Sequence, residues 1–164
     1  MLVKSIERDL CFVCDENEFS GVQKISLKVA KDIERVFGFF PKKSYSLGDV
    51  KKNAVVFGTV GKCALLDTME REGKIDLSHI KGKREVFGFF VLENTIVIAG
   101  SDKRGTIYGL FHISELLGVS PFVNFADVVP ARKDSFEFTS EHTFISKEPS
   151  IKYRGFFIND ETLS

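Results

Sequence analysis

Tryptophan is absent from this sequence, tyrosine and cysteine occur three times each, and neither sign of charge is in excess. Lys plus Arg and Asp plus Glu both number 23, so no net positive charge attracts the chain to nucleic acid or an anionic membrane. No apolar run reaches the roughly 18 residues that a membrane-spanning helix needs. We therefore expect neither nucleic acid nor a membrane among the partners.

Cysteine is too scarce for a disulfide framework. Cys11 and Cys14 form a C-x-x-C pair, but residues 10–14 resemble a strand, in which positions three apart face opposite sides. No second pair exists and Cys63 stands alone, so we interpret all three as buried, inert thiols and expect no metal and no cofactor. The first ten residues include acidic side chains and lack the apolar stretch of a secretory signal, which predicts a cytoplasmic protein.

Phosphate-binding loops are also missing. Residues 58–62 contain two glycines and a lysine, yet neither the Walker nor the Rossmann spacing is present. The glycines are better explained as the end of a strand over residues 54–61, an unbroken apolar run typical of strands that are covered on both faces.

Two segments have strong helical periodicity. Apolar residues recur at three- and four-residue spacing over residues 20–37, with Ser20 as a predicted N-cap and Gly38 as the left-handed residue after the last turn. A second periodic segment covers residues 102–117. Phenylalanine, with 17 copies, favours a core filled by phenyl rings.

The remaining pattern predicts a mixed sheet. The expected extended segments are residues 10–14, a hairpin of 84–92 and 95–100, an extended crossing over 122–130 and a half-exposed strand over 135–139, with a short helix within 63–76. Alternation of strands with two main helices predicts a small α/β domain with a mixed sheet.

The turn before the second helix has two interpretations. Ser101 or Asp102 caps the free backbone amides of the helix, or Asp102 and Arg104 face a ligand site on a neighbouring domain. Capping is favoured because nearly every helix needs such a residue.

Residues 151–158 form an apolar run that ends in Asn159, Asp160 and Glu161. A buried strand that delivers polar side chains in this way is typical of the rim of a β-barrel, where such folds carry their chemistry.

Four segments resemble the N-terminal part of the large xylan α-1,2-glucuronidases, glycoside hydrolase family 115. Their sequences are VIAGSDKRGTIYG (97–109), GVSP (118–121), ADV (126–128) and KYRGFFINDE (152–161). The resemblance is strong from about residue 95 onward and compositional before it.

The resemblance implies an accessory α/β domain over residues 1–145, followed in 146–164 by a linker and the first strand of a (β/α)8 barrel that is otherwise missing. It implies removal of glucuronic acid or its 4-O-methyl form from substituted xylan or xylo-oligosaccharide, with the remainder of the barrel as a second partner. Asn159 and Asp160 would bind the sugar and Glu161 would be the catalytic carboxylate. Asp102 and Arg104 would be further substrate-binding residues, Arg104 as the cation for an acidic sugar.

Glycoside cleavage normally uses two carboxyl groups on either side of the scissile bond. Asp160 and Glu161 are adjacent and cannot easily take both places, so the second carboxylate must come from another strand. We therefore expect these 164 residues alone to be inactive. The alternative is a non-catalytic α/β module that binds carbohydrate or protein.

Overall fold

A six-stranded mixed sheet runs through the centre of the structure. The computed structural model describes residues 3–49, 53–126 and 128–157. The strands are β1 (Val3–Ser5), β2 (Cys11–Val13), β3 (Lys42–Ser44), β4 (Ala54–Thr59), β5 (Phe87–Val91), β6 (Thr95–Gly100), β7 (Glu137–Thr139) and β8 (Phe144–Ile145). The main sheet has the order β3-β2-β4-β6-β5-β8, in which β3, β2, β4 and β6 are parallel and β5 and β8 are antiparallel to their neighbours.

Among the described residues, three α-helices cover the two faces of the sheet: α1 (Ser20–Phe37), α2 (Ala64–Arg71) and α3 (Lys103–Leu116). α1 and α3 pack together over one face, where Phe57, Phe89 and Phe138 are fully buried. α2 covers the opposite face and buries Leu66 and Met69 there. All six residues of β4 are buried, which confirms the prediction of a strand covered on both sides.

The α/β class, the mixed sheet and the two long helices are confirmed. α1 spans the predicted residues, and Gly38 follows it with a φ of 79°. The prediction of Ser20 as N-cap is wrong, because Phe19 holds that position and makes no side-chain cap. The neighbouring Glu18 instead accepts a hydrogen bond from the Phe19 amide at 2.8 Å.

Two predicted extended segments differ from the structure over residues 122–125 and 151–157. Residues 121–125 form turns, since the amides of Phe125 and Ala126 bond locally to the Phe122 carbonyl at 2.9 and 3.0 Å. Residues 151–157 have no strand assignment and are exposed. A strand needs a neighbouring strand to satisfy its backbone groups, and no described strand forms backbone hydrogen bonds with this segment.

A small second sheet consists of β1 and β7. It pairs Val3 with Thr139 in antiparallel register and buries Phe138 against the main core. The strand expected over 135–139 is therefore present, but it lies outside the main sheet.

The three cysteines are buried and free of disulfides. Cys11 and Cys14 contact the hydrophobic clusters on opposite faces of the sheet, as predicted. Burial raises the pKa of Cys14 to about 11 and also raises the pKa of Cys63, so both thiols are protonated at neutral pH.

Two further kinds of functional feature are absent from the described ranges. No α-helix among them combines the length and the apolar character that crossing a bilayer requires. Within the same ranges, no three His, Cys, Asp or Glu side chains are grouped so that they could hold a metal ion.

We predict opposite effects for two glycine-to-alanine changes. A Cβ added at Gly109, inside α3, would lie 2.4 Å from Ile98 Cγ2, whereas one at Gly21 in α1 would meet nothing closer than Lys103 Cδ at 3.8 Å. Gly109→Ala should lower the free energy of unfolding by about 1–3 kcal/mol through overpacking. Gly21→Ala should raise it by about 0.4–1 kcal/mol, because alanine restricts the unfolded chain.

Urea denaturation monitored by circular dichroism measures both changes. Stabilisation by Gly109→Ala would show that α3 does not pack against β6 as closely as described.

Candidate functional site

The carboxyl edge of the parallel strands, where open α/β sheets commonly bind ligands, is occupied by the protein's own side chains. The buried Glu18 carboxylate accepts from the Thr59 amide at 2.7 Å and from Thr59 Oγ1 at 2.9 Å. Thr106 Oγ1 lies 2.8 Å from Thr59 Oγ1 and donates to the Gly58 carbonyl at 3.2 Å. This edge is a closed polar network, in agreement with the missing phosphate-binding motifs.

Two of the predicted site residues, Asp102 and Arg104, lie instead at the beginning of α3. Here Asp102, Arg104 and Tyr108 meet Glu85, from the segment before β5, and Arg154, from the segment after β8. We call these five residues the Glu85 cluster.

Asp102 organises the backbone of the cluster. Its Oδ1 accepts from the Gly105 amide at 2.8 Å and caps α3, and its Oδ2 accepts from the Glu85 amide at 2.8 Å. The capping interpretation is confirmed. The same carboxylate also connects the helix start to Glu85, two residues before β5.

Glu85 has an unusual backbone and a buried side chain. Its φ is 58°, a left-handed value that is uncommon for a residue with a Cβ, and only 5% of the residue is exposed. Such a conformation persists only where the surroundings hold it. Here the bond from its amide to Asp102 and the contacts of its carboxylate provide that hold.

The Glu85 carboxylate bonds to two guanidinium groups. Arg154 Nη2 donates to Oε2, and Arg104 Nη1 donates to Oε1 at 3.1 Å. The Tyr108 hydroxyl lies 3.5 Å from Oε2 and 3.4 Å from Arg154 Nη2. The bond from Arg154, followed by that from Arg104, lowers the pKa of Glu85, and Glu85 raises the pKa of Arg154.

These contacts anchor the segment that follows β8. The Arg84 amide donates to Glu148 Oε1 at 2.9 Å, Arg84 Nη2 donates to the Pro149 carbonyl at 2.5 Å, and Arg154 Nη1 donates to the Ile151 carbonyl. Beyond Arg154, Phe156 and Phe157 are almost fully exposed. The segment is thus anchored at residues 148–154. No residue that the structure describes covers the rings of Phe156 and Phe157.

Only part of the sequence-predicted site can be located. Asp102 and Arg104 lie in the Glu85 cluster, while Asn159, Asp160 and Glu161 lie outside the described residues. Sequence reasoning missed Glu85, Tyr108 and Arg154 as site residues. Tyr108 and Arg154 are inside the motifs quoted for the resemblance, which was the available signal, but no pattern marks Glu85.

The chain is similar to a solved family GH115 4-O-methyl-alpha-glucuronidase, BtGH115A, described as specific for decorated arabinogalactans. Identity is 31%, the TM-score is 0.82, and the match covers 98% of this chain and 20% of that one. This chain therefore spans about a fifth of its relative's length. CpGH84D, at 15% identity and a TM-score of 0.54 over 68% of this chain and 18% of that one, shares the fold alone. No family model and no curated protein matches the sequence.

We predict that Glu85→Gln releases the segment that Arg154 anchors. Glutamine keeps the shape of the side chain but loses the charge that bonds to both guanidinium groups. Trypsin should then cleave after Lys152 and Arg154 several-fold faster, while circular dichroism shows the fold unchanged.

Glu72→Gln is the matched control, because Glu72 forms a 2.7 Å ion pair with Lys74 on an exposed surface. Mass spectrometry of the peptides measures both variants. Equal cleavage of Glu85→Gln and the parent chain would contradict the anchoring role.

The lowered pKa of Glu85 predicts a pH dependence. A group whose pKa is lower in the folded state stabilises that state above its ordinary pKa, and the contribution is lost as the pH falls through the lowered value. Amide chemical shifts of residues 151–157 should stay constant from pH 7 to about pH 5 and change only in more acidic solution.

The Glu85→Gln variant assigns this effect to Glu85, because both proteins retain every other acidic side chain. The acidic change in these amide shifts should be present in the parent chain and absent from the variant. A change of equal size in both proteins would contradict the assignment to Glu85.

Proposed function

The resemblance of this chain to family GH115 extends over nearly its whole length, and on that premise we propose that it serves a glycoside hydrolase as accessory domain. In the proposal, residues 1–145 are the accessory α/β domain, and residues 146–164 are the linker and the start of a catalytic (β/α)8 barrel. The complete enzyme releases glucuronic acid or its 4-O-methyl form from a polysaccharide side branch. The observation that carries the proposal is the 31% identity over 98% of this chain.

The coverage of only 20% of the relative fits an N-terminal fragment of such an enzyme. Four fifths of the related protein have no counterpart in these residues, which leaves room for the barrel and for the second carboxylate that glycoside cleavage requires. The remainder of the barrel is therefore a proposed partner of this domain.

The Glu85 cluster supports a positioning role for the domain. Together with Arg84, it fixes residues 148–154 against the segment before β5, and the proposed site residues Asn159, Asp160 and Glu161 follow within seven positions of Arg154. Catalytic groups must be held close to the productive geometry, and a 1 Å displacement can reduce the rate about 10²-fold. Anchored residues 148–154 at the proposed start of the barrel meet that requirement.

We assign the following roles within the proposal. Glu161 is the catalytic carboxylate, and Asn159 and Asp160 bind the sugar. Asp102 and Arg104 bind the substrate from the start of α3. Arg104 is more than half exposed, so its guanidinium group is accessible although it bonds to Glu85.

The uronic acid is common to both polysaccharides that are candidate substrates. The sequence resemblance indicates substituted xylan, whereas the description of the related structure names decorated arabinogalactans. Release of the acid from each polysaccharide by the complete enzyme decides between them. A cytoplasmic location also belongs to the proposal, and the three cysteines, none of them in a disulfide, support it.

We predict that Glu161→Gln in the complete enzyme lowers release of the uronic acid by about 10²- to 10⁴-fold, the usual contribution of an acid–base group. The thermal midpoint should stay almost unchanged, because a carboxylate at the rim of a barrel serves the substrate and not the core. The 164 residues alone should show no turnover.

The exposed Glu93, in the β5–β6 hairpin turn, provides the matched control as Glu93→Gln. Chromatography of released acid from both polysaccharides measures activity. Near-normal activity of Glu161→Gln, or turnover by the isolated 164 residues, would refute the assigned role.

A further inference from the structure

A groove of about 670 Å³ lies between α1, α3 and the turn after α3. Its lining includes Tyr108 of the Glu85 cluster. The volume is in the range of small-molecule sites, about 300–1,000 Å³. Nothing in the catalytic proposal uses this groove.

One wall of the groove carries a row of cations. Lys28, Lys31 and Arg35 lie along α1 at intervals of three and four residues, so they share one face of the helix over about 10 Å. Lys31 pairs with Glu34, and Lys28 has no bonding partner among the residues that the structure describes. Such a row can attract an acidic group from several positions along the wall.

The two acidic side chains of the lining are already paired. Asp32 is buried, accepts from Arg35 Nη1 at 2.8 Å and accepts from Ser114 Oγ at 2.9 Å. Glu115 lies 2.9 Å from His112 Nδ1. Arg35 Nη2 also donates to Asn124 Oδ1 at 3.2 Å, which connects α1 to the turn that closes the groove. The wall is therefore held in place by its own bonds, and Lys28 is left for a ligand.

The opposite wall carries exposed rings. Tyr108 and Phe111 are 38% and 39% exposed and lie three residues apart on α3, so they share one face. His112 contacts the rings of Phe87, Phe89 and Phe144 at centroid distances of 5.5–5.6 Å, which fixes the base of this wall. Aromatic rings next to hydroxyl and amide groups provide an apolar face and polar contacts together.

We propose that this groove is an accessory binding site for a saccharide segment that carries a uronic acid. The carboxylate lies against Lys28 and the cation row, and the sugar faces pack on Phe111 and Tyr108. The inference rests on the proposed function for its ligand class, a uronic-acid-bearing polysaccharide. It adds a site on the accessory domain that binds the polysaccharide at a distance from the glycosidic bond that is cleaved.

The test is a titration of the 164-residue chain, followed by the amide chemical shifts of groove residues. The probes are xylo-oligosaccharides and arabinogalactan oligosaccharides, each with and without a glucuronic acid branch. The acidic probes should shift groove resonances, and their binding should weaken as salt is added. The acidic probe that binds identifies the polysaccharide class.

Two variants with matched controls locate the contacts. Lys28→Ala should weaken binding about threefold, a typical effect for one exposed charge. Lys24→Ala, one turn earlier on α1 and outside the groove lining, should not. Phe111→Ala should weaken binding about tenfold through loss of the ring face, whereas Phe40→Ala, exposed elsewhere, should not.

Equal binding of neutral and acidic probes, or no shift at groove residues, would overturn the proposal. Protection of the groove amides from hydrogen exchange in the complete enzyme without saccharide would also overturn it, because a protein segment would then be the occupant. The titration measures binding without turnover, so an inactive complete enzyme would refute the proposed function and leave the binding result standing.

Discussion

The close approach of α3 to the sheet is the constraint on which the rest of this structure depends. A Cβ at Gly100 would lie 2.1 Å from the Thr106 amide nitrogen, and one at Gly105 would lie 2.2 Å from the Val86 carbonyl oxygen. Both positions therefore exclude any larger residue at this spacing. The contact sets the start of α3 directly beside Val86, so that Asp102 reaches the Glu85 amide and Arg104 reaches its carboxylate.

The hydrophobic pattern predicted the elements that contact the core over their whole length. α1 and α3 have long apolar repeats and β4 is an unbroken apolar run, and all three were predicted from the sequence. β1, β3 and β8 were not predicted. Each has two or three residues, and the side chains of Lys42 and Lys43 in β3 are exposed, so no alternating pattern marks these edge strands. Their positions follow from pairing with distant strands and not from local preference.

The candidate site was predictable only where its chemistry is local. Asp102 caps the helix that it precedes, and Arg104 lies in the first turn of that helix, so both could be chosen from neighbouring residues. Glu85 could not. Its partner Arg154 is 69 positions away in the sequence, and its left-handed backbone results from tertiary contacts that no short pattern encodes. The resemblance motifs contained Arg154 and Tyr108 but did not show what the two residues contact.

The residue at position 85 must adopt a left-handed backbone conformation and must also supply a carboxylate. No single amino acid is the best choice for both. Glycine would adopt the φ of 58° without strain but would remove the carboxylate, and other acidic choices keep a charge while they change its reach. Natural variation at this position should therefore be coupled to the arginine that it bonds. A relative that carries glycine here should also lack the Arg104 and Arg154 pair, and the segment after β8 would need a different anchor.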